Sequence, residues 1–208
     1  MSLFKSYLLI YNLVNALLWL RILLTVITLF ISTSTEPAST PESVYESLEP
    51  WTRWTQTLSV LEILHAATGP SSQPLLSRVS YYSPPRPPRV QVWAINYAFT
   101  TVTAPSPAYG AMLFAWSIAD VVRYGYFVGL LGGIDSLTRA LKWLRYSLFV
   151  VLYPIGIGSE WWLMFGAVGV AESKAVKALY WFFLGLYGPG SVMMYSYMLK
   201  QRRKTLAK

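Results

Sequence analysis

With 208 residues, of which 54% are hydrophobic and only 12% charged, and a mean hydropathy of +0.41, the chain is too apolar to close one water-soluble core and still cover it with polar surface. It reads as a polytopic membrane protein. The absence of cysteine excludes a disulfide framework, a thiolate metal site and a cysteine nucleophile, and the single histidine, His65, leaves no protein-only zinc cage. A net charge of +8 would suit a nucleic-acid partner, but the basic residues lie in the connections between apolar runs rather than on one soluble face, so topology accounts for them and no nucleic acid is expected.

Taken in order, Tyr7 to Ile31 is an apolar run preceded only by Lys5, long enough to span a bilayer with some tilt. It exceeds the apolar region of a secretory signal and carries Asn12, Asn15 and Arg21, so it is expected to stay as the first helix. Residues 32–47, rich in Ser, Thr, Pro and Glu, form a solvated loop. Over 48–68, Trp51, Trp54, Leu58, Leu61 and Leu64 make an apolar stripe at helical spacing, and Glu49, Arg53, Glu62 and His65 mark this second helix as packed rather than lipid-surrounded. The segment SPPRPPR at 83–89 is extended and cannot span. A short third helix is expected over 90–104, then further spans over 111–131, 143–170 and 175–199, followed by the basic tail KQRRKTLAK. The expected architecture is therefore all-α: a single domain over 1–208 forming a six-transmembrane helix bundle.

Charge agrees with six spans. They place twelve of the 17 basic residues (Lys5; Arg78, Arg86, Arg89; Arg139, Lys142, Arg145; Lys200, Arg202, Arg203, Lys204, Lys208) on one side, while the opposite loops hold only Lys174 and Lys177 beside Glu36, Glu42, Glu46 and Glu172. The positive-inside bias then makes both termini cytosolic.

The stretch Leu144 to Glu160, LRYSLFVVLYPIGIGSE, carries a tyrosine and a carboxylate inside an apolar run. An ionisable group at bilayer depth is expensive unless a cavity or partner compensates it, which makes Glu160 a site candidate. Tyr153 precedes it by two helical turns, on the same face but roughly 10 Å away along an ideal axis. Between them Pro154 removes the hydrogen bond to the Val150 carbonyl and bends the helix, and Gly156 and Gly158 admit a neighbouring backbone, so the segment can draw the two groups together. The competing reading is a Pro-kinked helix with an interfacial Tyr and a luminal Glu. Asp120 and Arg123, at i, i+3, can neutralise one another, Glu62 and His65 have the same spacing, and Arg21 is expected to pair with a carboxylate of another helix. Trp161, Trp162, Tyr180 and Trp181 are read as interfacial anchors. The chain has neither GxGxxG after a strand nor GxxxxGK nor GxSxG, which excludes the familiar nucleotide and hydrolase motifs but no chemistry that needs only an acid and a base.

The block LRYSLFVVLYPIGIGSE at 144–160 resembles the signature of the very-long-chain 3-hydroxyacyl-CoA dehydratases, also called the protein-tyrosine-phosphatase-like family. YLLIYNLVNALLW at 7–19 resembles the first helix of that family, LEILHAATG at 61–69 its second and WSIADVVRYGYF at 116–127 its fourth. The chain departs from the family in a Pro-rich insertion after LEILHAATG, in Trp93-Ala94-Ile95 after Gln91-Val92, and in Asp120 where Glu is usual. The resemblance implies a six-span endoplasmic-reticulum enzyme of fatty-acid elongation that removes water from long-chain 3-hydroxyacyl-CoA to give the trans-2-enoyl-CoA. By position it makes Tyr153 and Glu160 the catalytic pair. No metal or other cofactor is implied; membrane lipid and other elongation enzymes are the implied partners. Thiolate phosphatase chemistry is closed to a chain without cysteine.

The residues suit the reaction, because dehydration needs a base for the proton alpha to the thioester and an acid for the departing hydroxyl, and a Tyr and a Glu can supply both in either order. The polyanionic CoA head is expected at the cytosolic mouth, near Arg78, Arg139, Lys142 and Arg145, with Arg123 and Tyr124 as further substrate-binding candidates. Two rivals stand beside this reading. A non-catalytic scaffold of the elongation complex would have no need of Tyr153 and Glu160, and a small transporter would show repeated halves, which this sequence lacks.

Overall fold

The structure, a computed structural model, describes residues 3–35, 40–62 and 91–206. Among these the chain is helical: α1 (Leu3–Thr35), α2 (Pro41–Leu58), a π-helical segment (Gln91–Tyr97), the single turn α3 (Thr100–Thr103), α4 (Pro107–Gly132), α5 (Asp135–Val170) and α6 (Lys174–Leu206). α4 is the central element, packed on α1 and α2 on one side and on α5 on the other, while α6 covers the far side of α5.

Local sequence explains these elements. α1 is apolar on every face, and its two asparagines are accommodated by bonding back along the helix: Asn12 Nδ2 donates to the Leu8 carbonyl at 2.7 Å and Asn15 Nδ2 to the Tyr11 carbonyl at 2.8 Å. Trp19, Ile22 and Val26 enter the core, whereas Leu13, Leu17, Leu24 and Ile31 face outward. α4 starts at Pro107, whose missing N–H costs nothing at a first helical position, and the Ser106 hydroxyl accepts from the Ala108 N–H at 3.3 Å. It ends at Gly133, where φ is +74°, a conformation that glycine adopts without penalty. The turn that follows brings α5 back along α4 so closely that a Cβ on Gly129 would stand 2.9 Å from Thr138 Oγ1, and one on Gly125 would stand 3.1 Å from Leu141 Cδ1. Gly125 and Gly129, four apart, thus form the small-residue ridge that admits the neighbouring helix.

These contacts fix directions. Tyr11 of α1 meets Tyr124 of α4, and Phe30 meets Gly110, so α1 and α4 are antiparallel. Gly129 against Thr138 makes α4 and α5 antiparallel, and Tyr195 against Val150 does the same for α5 and α6. The start of α1, the start of α5 and the end of α6 therefore share one end of the bundle. Lys5, Arg139, Lys142, Arg145, Lys200, Arg202, Arg203 and Lys204 gather there.

The all-helical expectation holds among the described residues; the individual spans need revision. Among the described residues, two helices are by length and composition able to cross a membrane, Leu3–Ile31 and Asp135–Val170. α4 and α6, with 26 and 33 residues, have the length, but Asp120 and Arg123 interrupt α4, and Tyr, Trp, Gly and Pro dilute the aliphatic content of α6. The second helix begins at Pro41, seven residues before the expected 48, and closes at Leu58, where Ser59 Oγ donates to the Gln56 carbonyl at 2.6 Å. Residues 63–68 of that expected span, with His65, lie outside the described residues, as do Arg78 and SPPRPPR. Over 90–104, one continuous helix is replaced by the π-helical segment and α3, broken at Phe99, whose φ of −120° and ψ of 57° lie outside the helical region; Pro105 and Pro107, without an N–H, follow α3. Trp93 Nε1 donates to Thr57 Oγ1 at 3.1 Å, and the Arg53 guanidinium lies 4.1 Å from the Tyr97 ring centre, so this broken segment is tied to α2.

Two further expectations are corrected. Arg21 pairs with a ring rather than a carboxylate: its guanidinium sits 3.4 Å from the centre of Trp51, a contact that stabilises a cation on an apolar face with less desolvation than an ion pair. Tyr180 is a packing residue, buried, its hydroxyl donating to the Ala94 carbonyl at 2.7 Å, whereas Trp162 and Trp181 remain exposed.

Candidate active site

α5 contains Pro154, which cannot donate to the Val150 carbonyl one turn back. Tyr195 of α6 fills that place, its hydroxyl donating to Val150 O at 3.4 Å. The ring of Tyr195 also stacks on Tyr153, centres 5.8 Å apart and planes 27° from parallel, and the Tyr153 hydroxyl donates to the Ser191 carbonyl at 3.3 Å. One proline thus leaves an acceptor that brings α6 onto the face carrying Tyr153.

Two residues past Pro154, α5 packs against α4 at Gly156: a Cβ there would meet Ala115 Cβ at 3.7 Å and Trp116 Cδ1 at 3.8 Å, in van der Waals contact. Trp116 Nε1 reaches Glu160 Oε1 at 2.8 Å. The other oxygen, Oε2, accepts from the Tyr187 hydroxyl of α6. Glu160 is half-buried, and its carboxylate takes one donor on each oxygen from two different helices. Tyr153 and Glu160 both face α6, where the residues that meet them, Ser191 and Tyr187, are one turn apart. This is an acid and a potential base on one wall of the bundle, the pattern that proton abstraction and proton donation to a leaving group require.

A second polar centre lies toward the basic end. Arg123 Nε donates to Asp120 Oδ1 at 2.9 Å, and its Nη1 donates to both Glu62 oxygens at 3.2 and 3.0 Å. The Tyr124 hydroxyl donates to Glu62 Oε1 at 2.6 Å, and the Arg123 guanidinium lies 4.2 Å from the Tyr124 ring centre. The expected Asp120–Arg123 neutralisation is present. Glu62, four residues past the end of α2, ties that segment of the chain to α4; its expected neighbour His65 lies outside the described residues. Of the substrate-binding candidates, Arg123 and Tyr124 belong to this cluster, Arg139 and Lys142 are exposed on the first turns of α5, and Arg145 is half-buried, 5.8 Å from the ring centres of Tyr126 and Phe127. Among the described residues no three of Asp, Glu and His converge to hold a metal ion.

Sequence reasoning passed over Trp116 and Tyr187. Trp116 was visible only as part of the fourth-helix block, and Tyr187 only as a tyrosine two residues before Pro189 in the last apolar run.

Residues 56–208 match the family model described as protein tyrosine phosphatase-like protein, PTPLA. A probable very-long-chain (3R)-3-hydroxyacyl-CoA dehydratase of Schizosaccharomyces pombe is 36% identical over 203 residues, covering 96% of this chain and 92% of its own. The very-long-chain (3R)-3-hydroxyacyl-CoA dehydratase PASTICCINO 2A of Oryza sativa subsp. japonica is 33% identical over 220 residues, covering 98% and 94%. The very-long-chain (3R)-3-hydroxyacyl-CoA dehydratase 2 of Homo sapiens is 30% identical over 226 residues, covering 97% and 81%. No solved structure matches the chain. The chain belongs to the protein tyrosine phosphatase-like (PTPLA) family.

The ion cluster makes a stability prediction. Replacing Arg123 by Met leaves two carboxylates facing each other without their shared cation, and loss of one partner from such a buried set costs about 3–5 kcal/mol. The purified variant in detergent is expected to show a clearly lowered unfolding midpoint, with part of the loss recovered when Asp120→Asn and Glu62→Gln are added. An unchanged midpoint for Arg123→Met would remove the cluster from the supports of the fold.

Proposed function

We propose that this chain is a 3-hydroxyacyl-CoA dehydratase of very-long-chain fatty-acid elongation, with Tyr153 and Glu160 as its catalytic pair. The observation that carries the proposal is the placement of Glu160 and Tyr153 on one wall of the bundle, with Glu160 held by Trp116 and Tyr187. The relatives named as very-long-chain (3R)-3-hydroxyacyl-CoA dehydratases support it, matched as they are over nearly the whole chain. In the reaction the C2–H and C3–O bonds of the 3-hydroxyacyl thioester break and a C2=C3 double bond forms. One of the pair takes the C2 proton and the other gives a proton to the departing hydroxyl, which leaves as water. The thioester carbonyl stays intact, and the elimination neither gains nor loses electrons overall, so no redox partner takes part.

The proposed setting is a single six-span domain in the endoplasmic-reticulum membrane, with both termini cytosolic and other elongation enzymes nearby. The collection of cations at the end of the bundle shared by the start of α1, the start of α5 and the end of α6 supports that orientation. It also supports a CoA head held at this end by Arg139, Lys142 and Arg145, with the acyl chain running into the bundle toward Tyr153.

The orientation predicts that tags on both termini are digested by protease added to sealed microsomes, while residues 32–47 are protected. Protection of either tag would sink the six-span arrangement. For the CoA head, replacing Arg139, Lys142 and Arg145 together should raise KM more than it lowers kcat, because contacts to the head are made equally in ground and transition states; an unchanged KM would move the head elsewhere. For the pair itself, Tyr153→Phe and Glu160→Gln should each lower kcat for water elimination about 100-fold or more with normal membrane insertion, and the double variant should be scarcely worse than the worse single. Near-wild-type turnover in both singles would return Tyr153 and Glu160 to the role of a kinked, interface-anchored helix.

A further inference from the structure

Resting on the reading of Glu160 as catalytic, we infer that Trp116 and Tyr187 are positioning residues that set the plane of the Glu160 carboxylate, one donor on each oxygen, from the two helices flanking α5. A glutamate reaches its carboxylate through three rotatable bonds, and in a half-buried setting nothing intrinsic selects the orientation in which an oxygen meets a substrate proton. Here the selection is complete. Trp116 Nε1 donates to Oε1 at 2.8 Å from α4, and Tyr187 donates to Oε2 from α6. With each oxygen tied to a different neighbour, the carboxylate cannot swing without losing a hydrogen bond to an anion, the stronger kind in an apolar interior.

Both donors are themselves fixed. Trp116 is buried, 6% exposed, and its indole edge lies against α5 at Gly156, within van der Waals reach of where a Cβ would stand. Tyr187 is carried by α6, which is held at the same register by Tyr195 on the Val150 carbonyl and by Ser191 under Tyr153. The proline-freed carbonyl of α5 therefore acts at a distance on Glu160: it seats α6, and α6 seats Tyr187. An indole N–H has no acid–base chemistry to offer at this site, so the part of Trp116 is geometric.

The test uses the full-length enzyme in detergent or liposomes with a long-chain 3-hydroxyacyl-CoA. Tyr187→Phe removes one hydroxyl, and Trp116→Phe removes the indole N–H while keeping a ring. Each should lower kcat by about 10-fold or more, the scale on which a misplaced catalytic group is felt, with KM within about twofold of wild type. In a Glu160→Gln background the same two substitutions should cost almost nothing further, because the group they orient is gone. Near-wild-type kcat in both variants beside an inactive Glu160→Gln enzyme would overturn the inference and leave the catalytic reading intact. So would an equal loss in both backgrounds, which marks general structural damage, or a rise in KM alone, which marks a substrate contact. Full turnover by Glu160→Gln would overturn the catalytic reading, and this inference with it.

Discussion

A carboxylate inside an apolar helical bundle has to be compensated, and the middle of this structure is arranged around that requirement. Glu160 sits on α5 where the surrounding side chains are aliphatic and aromatic, and the two donors that satisfy it come from α4 and α6. For α4 to reach it, α5 presents its bare Gly156 surface to Ala115 and Trp116; for α6 to reach it, the two helices need a register, which Tyr195 and Tyr153 supply. The irregularities of the stretch 150–160 are thus connected. The proline opens an acceptor, the acceptor seats a helix, and another helix packs at the glycine. A regular leucine helix here would be more stable in isolation and would have no means of holding the acid.

The second polar centre follows the same physics with the opposite balance. Around Arg123, two carboxylates accept from the guanidinium, and the Tyr124 phenol donates to one of them, Glu62. Asp120 takes the Nε edge of the guanidinium because its short side chain reaches only that far along one helical turn, and this leaves the outer Nη1 for Glu62, just past the end of α2. One cluster therefore fastens the segment after α2 to α4, while the Glu160 cluster staples α4, α5 and α6. Together they tie the large helices through polar bonds that lipid cannot replace, which matters where tail-to-tail apolar contacts between helices are no better than contacts with lipid.

How much of this was open to sequence reasoning depended on the range of the interaction. The helical class and the Asp120–Arg123 pair are local: they follow from composition and from spacings of three or four residues. The candidate status of Glu160 was also visible, since a carboxylate in an apolar run is conspicuous without any partner. What stayed hidden was identity across helices. Nothing within several residues of Glu160 points to Trp116, which is 44 positions away, or to Tyr187, which is 27 away. Arg21 went to Trp51 for the same reason, because a ring and a carboxylate are equally acceptable partners until geometry chooses. Over 90–104 the apolar content was read correctly and the geometry was not, because the break at Phe99 is a matter of backbone angles that apolar content does not reveal.

The division of the Glu160 cage among three helices has a consequence for how the protein comes into being. The chain is made from its N-terminus, so α4 with Trp116 is available when α5 arrives, whereas Tyr187 follows on α6, the last large helix. For that interval the Trp116 donor is in place and the Tyr187 donor is not. An apolar surrounding favours any arrangement that delivers it, so the docking of α6 is driven in part by the need of a single acidic group, and the three-helix cage around Glu160 does not exist in any shorter intermediate.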